Sequence, residues 1–563
     1  MSTMNTQFVA DAIASASQSL TIKALILLGV IACTTRFISG RNYKTELSNY
    51  GDASKVATLP YWVPYLGHIF PMLLNPMRFL HSCKKQATNQ IFALYLFGSK
   101  YIIVWTPMLV DSIFENPNAA FNSSERSWLI NSRVFGAAKK HKQNYLKEHS
   151  TARRSLHQQL SSNPNTLELV QPIIRGIQEH TPELVSFSTS IVDQNIWERT
   201  ASPTIDISAV EINLFTLIKN FVGQISLPAL AGNEFLEAYP TTLDDLWDLD
   251  GGIKWLMLGV NRLLGIPSLT RAHLARRRLL DALHTFHRAI DGVHAGDEPK
   301  EPFRQLSDVG SLLETSRSLW RSSSLRDVNG LYDLSLLWAV STKPSHLIFW
   351  MLLHIWATPG LANQVRDEIK IYATATQPPR DFGIPEPPRL KIDIGGLVKS
   401  CPLLKACYYE CVRLYSAPTS VGSVNNDMII RGDRDDGVEP PKFSLDAGSN
   451  VAAPLSLHHY DPNFFKDPHV FRPGRFLQAN KDGKGQQTFV PGTIKPWGIG
   501  DSACPGRDLA QKQVLAFVVG ILALWNFEPA DNKGWKVPDQ VERAVISVPA
   551  VDIRVNLRPR ELL

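Results

Sequence analysis

PWGIGDSACPGRDLAQKQ, residues 496–513, is the stretch on which the reading of this chain turns. Gly498, Gly500 and Gly506 crowd around Cys504. Glycines in such numbers permit unusual φ values and let the backbone approach a flat ligand closely. Pro505 followed by an amphipathic run from Arg507 predicts a helix that begins there. The positive end of that helix favours a thiolate on Cys504. A thiolate in a glycine-rich turn is chemically suited to ligate iron. Taken alone, the same stretch also describes a free buried cysteine in a turn.

Working outward, LKACYYECVRLYS, residues 404–416, reads as a helix with Glu410 and Arg413 at i, i+3 and so on one face. That spacing is common and by itself marks no more than an ion pair. HHYDPNFFKDPHVFRPGRFL, residues 458–477, brings Arg475, which is expected to join Glu410 and Arg413 in a buried charge network. Further upstream, DLSLLWAVSTKPSHLIFWMLLHIW, residues 333–356, reads as one long helix with Pro344 inside it. Proline has no N–H for the carbonyl of Val340, and its ring pushes against that carbonyl, so a kink with a free C=O is expected. Thr342 and Ser345 offer hydroxyls beside it. Lys343 becomes an acid there if burial lowers its pKa; the commoner fate of a lysine is to point to solvent. The spacing also predicts a helix over 144–160 and a hairpin over 91–105 with its turn at Gly98-Ser99. Loops are expected at 375–389, 431–441 and 478–487, none of them a domain boundary, and no internal repeat is present.

Composition narrows the class. Of the 563 residues, 44% are hydrophobic and 20% charged, which excludes a disordered or fibrous chain. Lys and Arg exceed Asp and Glu by 58 to 52, with no dense basic stripe, so no nucleic-acid partner is expected. Six cysteines without a CxxC argue against a disulfide framework or a zinc ribbon. The strongest apolar run is ALILLGVIAC, Ala24 to Cys33, short of the about 20 residues of a full span. Arg36, Arg41 and Lys44 follow it and would hold the C-terminal side in the cytosol. The expectation is a single-pass membrane anchor over 1–44 and a cytosolic catalytic body over 45–563, the alternative being a helix lying on the membrane surface. Pro60 and Pro64 in LPYWVPYLGHIF, residues 59–70, read as a hinge between the two.

In order and spacing, these motifs resemble the cytochrome P-450 family. The ExxR is Glu410–Arg413, and the aromatic-Pro-x-Arg-Phe element is Pro473–Phe476. The pattern Phe-x-x-Gly-x-Arg-x-Cys-x-Gly is met by Trp497, Gly500, Cys504 and Gly506. The resemblance implies a mainly α fold with small β-sheets, an α-helical prism around a buried haem b (iron protoporphyrin IX), preceded by an anchor helix. It implies Cys504 as the axial ligand of the haem iron, Trp497, Gly500 and Gly506 around the haem, and structural roles for Glu410, Arg413 and Arg475. The family's Trp-x-x-x-Arg falls at His149 and Arg153, with only the arginine matching, so Arg153 is either a propionate partner or a surface residue. Ser502 stands where a propionate-binding Arg or His is usual, Trp497 replaces Phe, and Gly474 replaces an acid.

The distal helix departs further. The family's Ala/Gly-Gly-x-Asp/Glu-Thr becomes Ala339-Val340-Ser341-Thr342-Lys343-Pro344-Ser345, with Lys343 in the acid's place and Pro344 in the threonine's. The frame around it resembles the branch of sterol 7α-hydroxylases and prostacyclin synthase. The implied activity is a monooxygenase that puts one oxygen atom from O2 into a lipophilic substrate, terpenoid, steroid or polyketide-like, in specialised metabolism. NADPH electrons would arrive through a flavoprotein reductase at the endoplasmic reticulum membrane, and Thr342, Lys343 and Ser345 would serve as the substitute proton relay. Lys495, Arg507 and Lys512 would steer the acidic reductase. The alternatives are an isomerase or dehydratase that rearranges an already oxygenated substrate without a reductase and, more remotely, a non-catalytic haem-binding protein.

Overall fold

Phe97 and Gly98 both have positive φ, 48° and 79°. A two-residue hairpin turn of the primed type demands this. They join β1 (Ile91–Leu96) to β2 (Ser99–Val104), so the turn falls one residue earlier than the sequence predicts. This computed structural model describes residues 3–48, 54–87, 90–116, 121–122, 124–161, 163–321, 329–379, 386–416, 418–432, 440–479, 487–500, 503–531, 533–543 and 545–562. Ser502 and most of the loops expected over 431–441 and 478–487 lie outside the described residues.

The chain forms two compact units. Unit one comprises Met1–Ser123, Thr419–Phe464 and Gly498–Ala503. With β3 (Phe121–Asn122), β4 (Thr419–Val424) and β5 (Asn450–Pro454), the hairpin builds a sheet of order β1-β2-β5-β4-β3. The β2–β5 pair is parallel and the others are antiparallel. Both faces of the sheet are covered. Ile91, Ala93, Ile102 and Val104 pack with Leu109 and Ile113, while Phe92, Leu94 and Ile103 pack with Leu80 and Leu457. Burial on two faces explains why β1 reads as a continuous apolar run rather than an alternation.

The N-terminal helix α1 runs unbroken from Thr3 to Ser48, past the boundary at 44. Its segment Thr21–Ser48 is apolar enough to cross a membrane, and its face is bare, with Leu25 68% exposed. The proline segment expected as a hinge is hydrogen-bonded to this helix. Arg36 donates to the carbonyl of Pro60. Ser39 Oγ donates to the carbonyl of Tyr61 and accepts the Tyr61 N–H, each at 3.1 Å. Glu46 accepts the Thr58 N–H at 2.8 Å. Polar side chains between Arg36 and Glu46 of the helix satisfy backbone N–H and C=O groups of residues 58–61, and this straps the segment to the helix.

Unit two comprises Ser124–Pro418, Phe465–Trp497 and Cys504–Leu563. Its main helices here are α2 (Lys142–Ser161), α3 (Leu214–Ser226), α4 (Thr242–Leu258), α5 (Asn329–Ala357), α6 (Pro402–Tyr415) and α7 (Arg507–Leu524). The chain as a whole is mainly helical with small sheets, as expected. Leu347–Leu353 of α5 and Val514–Leu522 of α7 are almost wholly buried, the mark of core helices that are apolar all round. The same reasoning explains why Leu214–Ala231 is hydropathic enough to pass as a membrane span: 67% of it is buried inside the unit.

Candidate active site

Within unit two, the N–H of Cys504 donates to the carbonyl of Trp497 at 2.8 Å and closes the turn before α7. Gly506 caps that helix, which begins at Arg507 where the sequence placed it. Within unit one, Gly500 has φ 54°, and a Cβ there would stand 2.5 Å from the carbonyl oxygen of Phe114. Only glycine meets both demands. Cys504 itself is exposed. Although part of the residue reaches solvent, the protein packed around the sulfur raises the thiol pKa by desolvation, and the Gly506 N–H, Arg153 and Arg507 oppose that rise in favour of the thiolate.

A cavity of about 220 Å³ lies in the same unit, lined among others by Tyr145, His149, Arg153, Tyr332, Leu336 and Pro505. Tyr145, His149 and Arg153 recur every four residues, so they form one stripe on α2. Arg153 therefore faces the cavity beside the cysteine turn. Tyr145 stacks on His149 with centroids 5.0 Å apart and lies parallel to Tyr332 of α5 at 6.1 Å. Asn131 donates to the Tyr145 hydroxyl at 3.0 Å. Burial pushes the Tyr145 phenol up to about 12 and raises that of Tyr332 as well, so both stay protonated.

Glu410, Arg413 and Arg475 come together. Arg413 Nε and Nη2 each donate to the Glu410 carboxylate at 2.8 Å, and Arg475 Nε donates at 3.0 Å. The backbone N–H of Arg472 adds a bond at 2.9 Å, and Arg413 Nη1 reaches the Pro468 carbonyl at 2.7 Å. Glu410 and Arg413 are fully buried.

On α5 one expectation changes and one alternative falls. Lys343 does not point to solvent. Its Nζ donates to Asp250 of α4 at 2.7 Å and sits 4.3 Å from the Trp338 ring centroid. Trp338 Nε1 donates to the same carboxylate at 2.9 Å. Nor is the carbonyl of Val340 free: Gln513 Nε2 of α7 donates to it at 3.0 Å. The Thr342 hydroxyl donates to the Trp338 carbonyl at 2.7 Å and the Ser345 hydroxyl to that of Thr342 at 2.8 Å. Asp250, Gln513, Tyr145 and Tyr332 carry no signal in the sequence that joins them to these positions. Pro344 announces that Val340 needs a donor, but not which residue supplies it.

The Lys343–Asp250 pair is buried, with side-chain exposures of 12% and 6%. Burial lowers the Lys343 pKa, and Asp250 restores part of it. For Asp250, burial pushes up, but the Lys343 charge and hydrogen bond outweigh it, and the carboxyl stands below its ordinary value. A depressed carboxyl contributes stability in full above its unfolded pKa of about 3.9 and loses it as pH falls through the folded value. Asp250→Asn is expected to cost about 3–5 kcal/mol at pH 7, because it leaves a buried ammonium unpaired. Asp250→Asn combined with Lys343→Met is expected to regain most of that in denaturant melts; equal losses in the single and double variants would count against a buried pair.

Lys512 is not available for docking a partner. It is 5% exposed and donates to Thr166 Oγ1 at 2.9 Å. Arg507 is exposed beside Asp508, and Lys495 is half-buried.

Unit two thus brings together a helical body, a cysteine held at a helix start and a buried Glu–Arg–Arg network. The sequence profile of the cytochrome P-450 family matches residues 334–556. A cytochrome P-450 monooxygenase of Gibberella zeae is 23% identical over 523 residues, 90% of this chain and 87% of its own. The 25-hydroxycholesterol 7-alpha-hydroxylase of Rattus norvegicus is 30% identical over 211 residues, 36% of this chain and 47% of its own. Prostacyclin synthase of the same animal is 25% identical over 310 residues, 48% of this chain and 58% of its own. The chain carries a cytochrome P-450 domain, and the relatives it matches include sterol 7-hydroxylases and prostacyclin synthase. It is a haem monooxygenase that takes electrons from NADPH through a reductase. Haem b fits the residues present: Cys504 offers sulfur with a backbone N–H on it, and Arg153 and His149 line the neighbouring cavity.

Proposed function

We propose that this chain oxygenates a lipophilic small molecule, terpenoid, steroid or polyketide-like, in specialised metabolism, with Cys504 as the axial ligand of the haem iron. The observation that carries the reading is the Cys504 turn, closed on the Trp497 carbonyl and opening onto the cavity lined by Arg153 and Pro505. When bound, haem supplies the oxygen activation that no side chain can. The chain does the rest. Trp497, Gly500 and Gly506 shape the turn, and the Gly506 N–H bonds the sulfur. Arg153 offers its guanidinium to a propionate. Glu410, Arg413 and Arg475 hold the cysteine side of the core rigid. Apolar side chains such as Leu336, Phe135 and Leu156 around the cavity suit a lipophilic substrate, and the Tyr145 phenol orients a polar group on it. Lys343 holds a proton at Nζ against Asp250, and Thr342 and Ser345 carry hydroxyls on the same helix.

Residues 1–44 serve as the anchor in the endoplasmic reticulum membrane and 45–563 as the cytosolic catalytic domain. The bare apolar face of α1 and the basic residues that follow its apolar run within the helix, Arg36, Arg41 and Lys44, support this.

The test is to compare metabolites of the producing cell with and without this gene under oxygen-18 gas. The expected result is a lost product that carries one more labelled oxygen than the precursor that accumulates, and the precursor then names the substrate. A product and precursor of equal mass and label would overturn monooxygenation in favour of rearrangement.

A further inference from the structure

Gln513 is 1% exposed and lies two turns into the helix that starts just after Cys504. Its Nε2 makes two bonds, one to Ser226 Oγ of α3 at 2.8 Å and one to the carbonyl of Val340 at 3.0 Å. In an unbroken α-helix that carbonyl accepts from the N–H four residues on. That residue is Pro344, which has none. A buried carbonyl without a donor is costly, so the bond from α7 replaces a missing rung of α5.

We propose that Gln513 is a positioning residue. It supplies the hydrogen bond that Pro344 withholds, and so ties α5 at its missing rung to the helix that carries the cysteine turn. Thr342, Lys343 and Ser345 lie on or beside the turn that this rung would close, so the bond helps set where those side chains stand. The consequence for oxygen chemistry rests on the function proposed above; the bond itself does not. A cavity of about 40 Å³ lined by Val340, Ser226 and Leu509 adjoins the bond, so a shortened side chain would let water in. A substitution that keeps the volume is therefore required.

The experiment uses full-length, haem-loaded protein with Gln513→Met, Pro344→Ala and the two combined. Amide hydrogen exchange over residues 338–348 and the spin-state spectrum of the ferric protein are read together. Gln513→Met is expected to speed exchange in that segment about 10-fold and to shift the spectrum. Pro344→Ala restores an N–H to the ladder, so the combined variant is expected to return to the exchange rate of Pro344→Ala alone. A role in packing alone would not be rescued this way. Unchanged exchange in Gln513→Met, or a combined variant no better than Gln513→Met, overturns the proposal.

Should Gln513→Met fail to load haem, Gln513→Glu reads the same bond. A carboxyl buried there donates one bond while protonated and none once ionised. The ratio of its exchange rate to that of wild type at the same pH is then expected to rise with pH, and a ratio of one at every pH overturns the proposal. The reduced carbon monoxide spectrum keeps the two ideas apart. Loss of the red-shifted band in wild-type protein sinks the ligand assignment and leaves the exchange result readable.

Discussion

Cys504→Ser is expected to abolish the red-shifted band of the reduced carbon monoxide complex and to lower oxygenation by at least about 10³-fold, a barrier increase of about 4 kcal/mol. The sulfur matters for its electrons. A thiolate pushes electron density onto iron in a way that a serine oxygen, which holds its proton far more tightly, does not. The fold is not expected to suffer. The turn is closed by the backbone bond from Cys504 to Trp497, which serine keeps, and the side chain is exposed rather than packed in the core. Haem content and the thermal melt should therefore stay near wild type while the band and the turnover are lost. A retained band, or turnover within tenfold of wild type, would mean that another ligand holds the iron.

Glu410→Ala is expected to act on the fold instead. Glu410 answers two bonds from Arg413, one from Arg475 and one from the Arg472 backbone. Arg413 is fully buried, and without the carboxylate only the Pro468 carbonyl still faces its guanidinium among these partners. Removing one partner of a buried pair costs about 3–5 kcal/mol. Set against a total stability of about 5–15 kcal/mol, that is enough to leave much of the chain unfolded and unable to retain haem. The expected outcome is low soluble yield, haem content well below one per chain and a melt lowered by several degrees. Glu410→Gln keeps the shape but loses the charge and should fall between. A Glu410→Ala protein that melts within about 1 kcal/mol of wild type would show that the network does not hold this core together.

What could be read beforehand follows from the range of the interactions. The start of α7, the ladder of α6 and the hairpin β1–β2 rest on neighbours within a few residues, and their signals are local: Pro505 before a helical run, Glu and Arg one turn apart, two apolar runs around a glycine. Even the error at the turn was one residue, because Phe97 carries a positive φ that its residue type does not announce. The ordered motifs around Cys504 were likewise legible as chemistry.

The fates of Lys343 and Val340 were not legible, although both residues were singled out. Lys343 is answered by Asp250, 93 positions away, and Val340 by Gln513, 173 positions away. The strap between α1 and the proline segment escaped for a similar reason, since prolines announce stiffness but not what the freed carbonyls will meet. The sequence by itself determined the class of protein, the cysteine and the charge network, because covalent order and one-turn spacing suffice for them. Only the tertiary structure decided which donor meets the carbonyl at Pro344, which acid meets Lys343 and which side of α2 lines the cavity, because buried polar groups are satisfied by whatever the packing brings within about 3 Å, and packing is a property of the whole chain.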